Sequence, residues 1–411
     1  MKHTQLILAA ALVALAGCSK ENIDLTGQNS LDNEIGFTAV TKKATKANNA
    51  IISGTTYEHD NTFQVWGWQS AKDGNSGENI AFSDLSEGAN SNFMSNLTIE
   101  WTKGRDANST TKVEAWRNKD NYYYWPFTGK ISFLALHPST VAPTTTGWDA
   151  TNKKPQATIN DYTIRKDDTT TTDVNEDNST TDLMFAIAAG SRNAGLDGQG
   201  RLGLVFKHAL SQIVVKAKTD EDYTLDDVQF DLESVQFNNI DLSGDLAYAN
   251  ETFTWTDNTA ASQTENWMYY NTVLANVVKD AQQYGQPVLM IPQPANVLVW
   301  SDPVGDPSDP DNYTPAQLTD AVQTTLTIGY SMKQKNNAKI TGTVTVAAPW
   351  AKVKQTEGET VTPYDPAEAI SGWEAGKKYV YTLNFKLKEI LFNPTVTDWV
   401  EVEMQTINIL D

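Results

Sequence analysis

The sequence predicts an all-β protein built as β-sandwiches, and three observations carry that prediction. Short runs rich in β-branched and aromatic residues recur along the chain. Clusters of Gly, Pro, Asn and Asp divide them, as turns between strands require. Apolar residues spaced at three and four, the mark of an amphipathic helix, are scarce. Many short strands with few helices are the pattern of sandwiches.

In chain order, Ile35, Phe37 and Ala39 alternate with Gly36, Thr38 and Val40, which predicts a short strand. Thr41–Asn49 is basic and small-residue rich, an exposed connector. Thr62–Trp68 predicts a strand in which Trp66 and Trp68 share a face. Tyr122–Phe127 and Ile131–Pro138 predict two strands joined in a hairpin at Thr128-Gly129. Residues 140–180 are rich in Thr, Asn and Asp and predict mostly loop, with one apolar island at Tyr162–Ile164. Asp182–Ala188 predicts a strand. Residues 190–200 carry four glycines and predict a linker at a domain boundary. Beyond it, Leu202–Lys218, Val228–Phe237, Pro287–Ile291, Ala295–Trp300, Thr325–Tyr330, Thr341–Val346 and Lys377–Phe385 predict strands, while Trp267–Val278 fits a strand or a short helix.

The first residues give an address. Lys2 and His3 precede an apolar run of about eleven residues, Leu6–Ala16, closed by Leu15-Ala16-Gly17-Cys18. A bilayer-spanning helix needs about twenty, so the run reads as a signal-peptide core. Ala14-Leu15-Ala16 is a loose fit to the cleavage site of a soluble secreted protein. The Leu-Ala-Gly-Cys arrangement resembles the bacterial lipobox instead, which implies cleavage between Gly17 and Cys18 and acyl chains on Cys18. Two or three chains hold a protein to a membrane where one would not, at about 0.8 kcal/mol per buried methylene. Cys18 is the sole cysteine, so disulfides within the chain are ruled out. The expected layout is a signal peptide over 1–17, a flexible stalk over 18–33, one sandwich over 34–195 and a second over 196–411.

The net charge of −20 opposes binding to nucleic acid or to anionic lipid. Catalytic signals are poor. His59, His137 and His208 lack partners at metal-ligand spacing and read better as structural groups. No nucleophile-elbow, phosphate-loop or dinucleotide fingerprint is present. Asp173, Asn175, Asp177, Ser179 and Asp182 offer side-chain oxygens in the spaced manner of a calcium loop. Asn178 and Met184 stand where such a loop needs Gly and Glu, so a solvated acidic loop is the better reading. The chain has twelve tryptophans, and Trp66, Trp68, Trp116 and Trp125 invite either a core or a carbohydrate platform. No enzyme, cofactor or metal is expected.

Several stretches together resemble the fimbrillin family, lipoprotein pilins of Bacteroidota. They are the lipobox, Ile35-Gly-Phe-Thr-Ala with its Thr/Lys/Ala sequel, Thr62-Phe-Gln-Val-Trp-Gly-Trp, Tyr124-Trp-Pro before Ile131-Ser-Phe-Leu-Ala, and Asp182-Leu-Met-Phe-Ala. Val205-Phe-Lys-His-Ala-Leu-Ser-Gln-Ile, Leu289-Met-Ile-Pro-Gln, Trp373–Leu383 and Asn393-Pro-Thr-Val-Thr-Asp-Trp continue the series. The resemblance implies two tandem transthyretin-like, Greek-key β-sandwich domains. It also implies export to the outer membrane as a lipoprotein and head-to-tail assembly with other fimbrial subunits into an adhesive fimbria. In the family a protease cuts behind the first strand, and an extended segment of another subunit fills the groove. Here the strand to be lost is Ile35–Val40, and Lys43 or Lys46 offers the cut. The same lysines fit a plain solvated connector equally well. This chain departs from the best-known members, which are cut at arginine, because its first arginine is Arg105.

The candidate donor lies near 396–410. Val400, Val402 and Met404 share one face, and Ile407 and Ile409 fall on the other unless a bulge intervenes. The same tail could instead complete its own sandwich. The alternative to a fimbrial subunit is a monomeric surface lipoprotein that binds glycans through exposed tryptophans.

Overall fold

The computed structural model describes residues 33–41, 57–69, 90–102, 113–127, 129–164, 181–223, 228–257, 265–270, 272–294, 325–334, 339–347, 372–385 and 390–398. Only backbone is described for 90–92, 265–268, 270, 346–347 and 390–398. Among these residues the regular structure is all strand. The first half holds β1 (Phe37–Thr41), β2 (Phe63–Gln69), β3 (Asn90–Thr102), β4 (Ala115–Asn118) and β5 (Ile131–His137). It continues with β6 (Thr145–Asp149), β7 (Lys154–Thr163), β8 (Met184–Gly190) and β9 (Leu202–His208). The second half holds β10 (Ser211–Thr219), β11 (Val228–Ile240), β12 (Ser243–Ala249), β13 (Thr252–Asp257), β14 (Glu265–Tyr270) and β15 (Gln282–Met290). Its remaining strands are β16 (Gln293–Pro294), β17 (Thr325–Gln334), β18 (Ile340–Ala347), β19 (Gly372–Trp373), β20 (Lys377–Phe385) and β21 (Ile390–Asp398).

Seven strands close into a barrel in the order β1-β4-β3-β2-β5-β8-β9. Alternation sorts their side chains into two cores. Phe63 and Val65 of β2, Phe133 and Ala135 of β5, and Met184 and Ala186 of β8 fill the inside. Trp66 and Trp68, Leu134 and Leu136, and Phe185 point outward, yet they are just as buried. A four-stranded sheet, β13-β12-β7-β6, covers that outer face. Phe185 stacks on Tyr248 at 4.8 Å there. Trp66 and Trp68 therefore do share a face, and the face is core.

The covering sheet takes β6 and β7 from one half of the chain and β12 and β13 from the other, joined by the antiparallel β7–β12 ladder. The hairpin between β12 and β13 turns at Asn250 and Glu251, both with positive φ. Glu251 reaches back to Lys154 and to Lys207 of β9, each at 2.8 Å. Hydrogen bonds from those two lysines pull its carboxyl down to about 2.

The second half makes a sandwich of β15-β10-β20-β21 over β14-β11-β17-β18. Aromatic rings bridge the layers: Phe230 to Phe385 at 5.7 Å and Phe237 to Tyr381 at 6.2 Å. Tyr269 donates to the Gln286 carbonyl at 2.8 Å, so its hydroxyl is satisfied inside the core.

The structure corrects four local expectations. Tyr122–Phe127 is no strand: Asn118 caps the turn at Asp120 and Asn121, and Tyr124 makes only an isolated bridge to Glu34. No hairpin forms with β5, which pairs with β2 and β8 instead. Residues 140–180 contain β6 and β7, whose buried Ala157 and Ile159 are too small and sparse to advertise a strand. Leu202–Lys218 divides at Ala209-Leu210 into two strands that serve different sheets. Residues 265–270 of the ambiguous stretch are strand. The glycine-rich 190–200 segment ends one strand before the barrel closes, since β9 belongs to the barrel.

Candidate assembly site

The seam of the barrel is made by residues 33–41. β1 runs parallel to β9 with five register pairs, from Phe37↔Leu202 to Thr41↔Phe206. Its other flank is thinner. It pairs with β4 at Phe37↔Trp116, and residues 33–35 run against 123–125 through Ile35 N–H to Tyr123 O (2.7 Å) and Trp125 N–H to Asn33 O (2.9 Å). Without β1 the sheet would be an open one, with β9 and β4 as its edges.

Ile35, Phe37, Ala39 and Thr41 face inward and are buried. Phe37 sits edge-on between Phe133 at 5.2 Å and Phe63 at 6.2 Å. Full burial of side chains like Ile35 and Phe37 contributes about 1.5–3 kcal/mol each. Val40 points out and is 40% exposed, next to Val205 at 47%.

One charge is placed on the same seam. Arg117 of β4 donates through Nη1 to the Glu34 carboxylate at 2.9 Å and through Nη2 to the Val113 carbonyl at 2.5 Å. The two side chains are only 5% and 8% exposed. Such a pair is worth little against an apolar substitute, but removing one member leaves a charge that burial makes costly.

Below the end of β1, Tyr57 plugs the barrel. Its ring stacks on Phe206 at 5.1 Å and meets Trp116 edge-on at 5.5 Å. Its hydroxyl lies 2.7 Å from His137 Nδ1 and donates to the Thr62 carbonyl. Burial lowers the His137 imidazole to about 4, against a smaller upward pull from the Thr62 carbonyl. Burial, with the Asp182 charge behind it, raises the Tyr57 hydroxyl. Above pH 6.5 the ring is neutral whether folded or unfolded. Below that, the unfolded chain takes a proton that the folded one excludes, so stability falls from pH 6.5 toward pH 4. A His137→Gln variant should lose about 2 kcal/mol less than the parent between pH 7 and pH 5. Urea titrations at the two pH values measure the difference, and parallel losses would contradict it.

His208 and Asp182 form a second buried pair, Nδ1 to Oδ2 at 2.8 Å. Asp182 is therefore core and not part of a solvated loop; 173–179 lie outside the described residues. His59 stacks on Trp101 at 3.8 Å. Among the described residues no group of His, Cys, Asp and Glu could hold a metal ion. Trp66, Trp68, Trp116 and Trp125 are all buried, so none of them offers a carbohydrate platform. Among the described residues, Tyr122, Tyr124 and Phe127 are the exposed tyrosine and phenylalanine side chains. Gly17, Cys18, Lys43, Lys46, Val400, Val402, Met404, Ile407 and Ile409 lie outside the described residues.

A sequence profile of fimbrillin-like proteins matches residues 43–399. The chain belongs to the fimbrillin-like family. No curated protein matches it by sequence. Among solved structures this fimbrillin-like chain is similar to a fimbrial protein from Bacteroides vulgatus, with 16% identity and a TM-score of 0.52, covering 89% of this chain and 99% of that one. It is also similar to a candidate cell adhesion protein from Bacteroides uniformis at 12% identity and a TM-score of 0.43, covering 90% and 100%. The tip fimbrial protein Mfa3 of Porphyromonas gingivalis follows at 7% and 0.30, covering 82% and 94%. The first likeness shows a common fold. Membership of the fimbrillin-like family makes the protein a fimbrial component of the cell surface, associated with other fimbrial subunits.

Proposed function

We propose that this chain is exported as an outer-membrane lipoprotein through Cys18 and built into the fimbria by donor-strand insertion at the place of β1. The observation that carries the reading is the seam. A five-residue strand, with one register pair to β4, is what turns an open sheet into a barrel. The lysine-bearing connector follows it directly in sequence. A cut at Lys43 or Lys46 would release β1 together with the lipid-bearing stalk. The vacated place would then expose the backbone of β9 and an apolar trench lined by Phe63 and Phe133. An extended segment from another subunit restores ladder and side-chain contacts at once. Donor and acceptor are different surfaces, so the contact repeats head to tail and does not close. The rival reading, a glycan-binding monomer, loses Trp66, Trp68, Trp116 and Trp125 as contact residues, because all four are buried.

Intact mass and N-terminal sequencing of the chain recovered from cells test this. Membrane fractions should yield an acylated N-terminal Cys18, and sheared fibres a chain beginning at Ala44 or Ala47. Fibres made of chains that still start at Cys18 would defeat the strand-exchange part of the reading.

A further inference from the structure

We propose that the loops at one end of the barrel form a binding site for an acidic oligosaccharide. A hexuronate ring lies on the faces of Tyr122, Tyr124 and Phe127, and its carboxylate pairs with Arg192. This goes beyond fimbrial assembly and does not depend on strand exchange, because all four residues stay with the subunit whether or not β1 leaves.

Three segments meet there: residues 33–35 before β1, residues 121–127 between β4 and β5, and residues 191–194 after β8. It is the end opposite the one from which β9 runs on into Ala209-Leu210. Arg192 and Asn193 are the two residues of a tight turn between Ser191 and Ala194, which exchange main-chain hydrogen bonds at 2.9 and 3.3 Å. The Arg192 side chain is fixed at two points. Its Nε donates to Asn33 Oδ1 at 2.8 Å, and its Cζ lies 5.7 Å from the Phe127 ring centroid. Asn33 is itself held, at a φ of 69° that asparagine tolerates, with its carbonyl accepting from Trp125 N–H at 2.9 Å. Among the described residues neither Nη of Arg192 has a hydrogen bond or an ion pair. Neighbouring carboxylates are committed elsewhere, Glu34 to Arg117 and Asp197 to Arg201. A guanidinium tied at Nε with both Nη groups open is a preset fork for a carboxylate.

The aromatic side chains lay a bed beside the fork. Tyr122 and Tyr124 are 51% and 54% exposed, and their planes lie within 13° of parallel with centroids 6.3 Å apart. Phe127, 84% exposed, stands three residues beyond Tyr124. Three residues of chain span at most about 11 Å, so the rings and the guanidinium fall within the reach of a short oligosaccharide. Aromatic faces carry negative potential, and the flat C–H face of a pyranose is the positive surface that settles on them. An equatorial carboxylate on a hexuronate leaves that ring in its own plane, toward a cation at the edge of the bed. A peptide would call for a free strand edge or for pockets that take alternate side chains. These rings project from the surface instead. The charge of −20 repels long polyanions, but it is screened beyond about 8 Å at physiological ionic strength. One carboxylate on an uncompensated guanidinium is therefore decided locally.

The test is fluorescence polarisation of a labelled hyaluronan tetrasaccharide, in which glucuronate alternates with N-acetylglucosamine, titrated with the full-length chain in detergent. Labelled chitotetraose, neutral and of the same length, should bind at least tenfold more weakly. Arg192→Gln should weaken the acidic sugar at least tenfold, and Tyr124→Ala and Phe127→Ala at least threefold each. Phe127 is so exposed that truncating it leaves the fold intact, and unchanged amide exchange on β9 checks the same for Arg192→Gln. Failure of the hyaluronan tetrasaccharide to bind at millimolar protein would overturn the proposal. Chitotetraose bound as tightly would overturn the carboxylate as the recognised group. Tetraglutamate bound more tightly than either sugar would make the patch an acidic-peptide surface and overturn the oligosaccharide. Affinity unchanged in all three variants would overturn the location. None of these outcomes bears on donor-strand insertion, which is judged by the N-terminus of sheared fibres.

Discussion

Phe37→Ala should destabilise the seam of the uncut chain by about 3–5 kcal/mol, the cost of emptying a well-packed aromatic site. The slot cannot collapse to recover much of that loss, because Phe63 and Phe133 on its two sides are fixed by their own ladders in β2 and β5. The other side chains of β1 itself bury less: Ala39 is small, and Val40 faces solvent. Unfolding of so large a chain is not expected to be two-state, so a global midpoint is the wrong readout. Amide exchange along 202–206, the partners of β1, is the right one. Those amides should exchange several hundredfold faster in the variant, through local opening of the seam. Unchanged protection on β9, with Phe37 gone, would mean that β1 is held by something other than its ring.

The second large effect concerns Glu34 and Arg117. Arg117→Met alone should cost about 3–5 kcal/mol, because the Glu34 carboxylate then stays buried beside a thioether. Glu34→Gln should cost less, since an amide oxygen still accepts from the guanidinium. Glu34→Leu with Arg117→Met should return to within about 1 kcal/mol of the parent, because the pair in water is as well solvated as it is paired here. The measurement is a double-mutant cycle read by exchange at the same β9 amides. Additive losses would show that the two groups are not coupled, and the pair would then not be what fixes the start of β1.

Much of this was legible from residues in order, and the reason is periodicity. Alternation over 35–41 and 62–68 fixed which side chains share a face, and the barrel keeps those faces. Alternation is silent on what lies across from a face. Glu34 and Arg117 are 83 residues apart, and Tyr57 and His137 are 80 apart. The first pair exists because the closed sheet sets β4 beside β1, and the second because Tyr57 inside the barrel reaches His137 at the end of β5; spacing in sequence carries no trace of either. The hidden strands β6 and β7 failed for another reason: their inward residues are Ala157 and Ile159 among threonines, so the signal resembles loop. Tyr122–Phe127 failed the opposite way. Its aromatics look like a strand, yet Tyr122, Tyr124 and Phe127 stand exposed.

The two-residue joint between the halves has a mechanical meaning. Ala209 and Leu210 are tied by main-chain bonds to Leu183 and Gly376, and the Trp255 indole donates to Ala209 O at 2.8 Å. The β7–β12 ladder spans the same gap. Traction along a fibre would reach the joint and find it bypassed by a set of cross-links that share the strain. Each subunit would then act as a stiff rod under flow, and the compliance of the fibre would reside between rods.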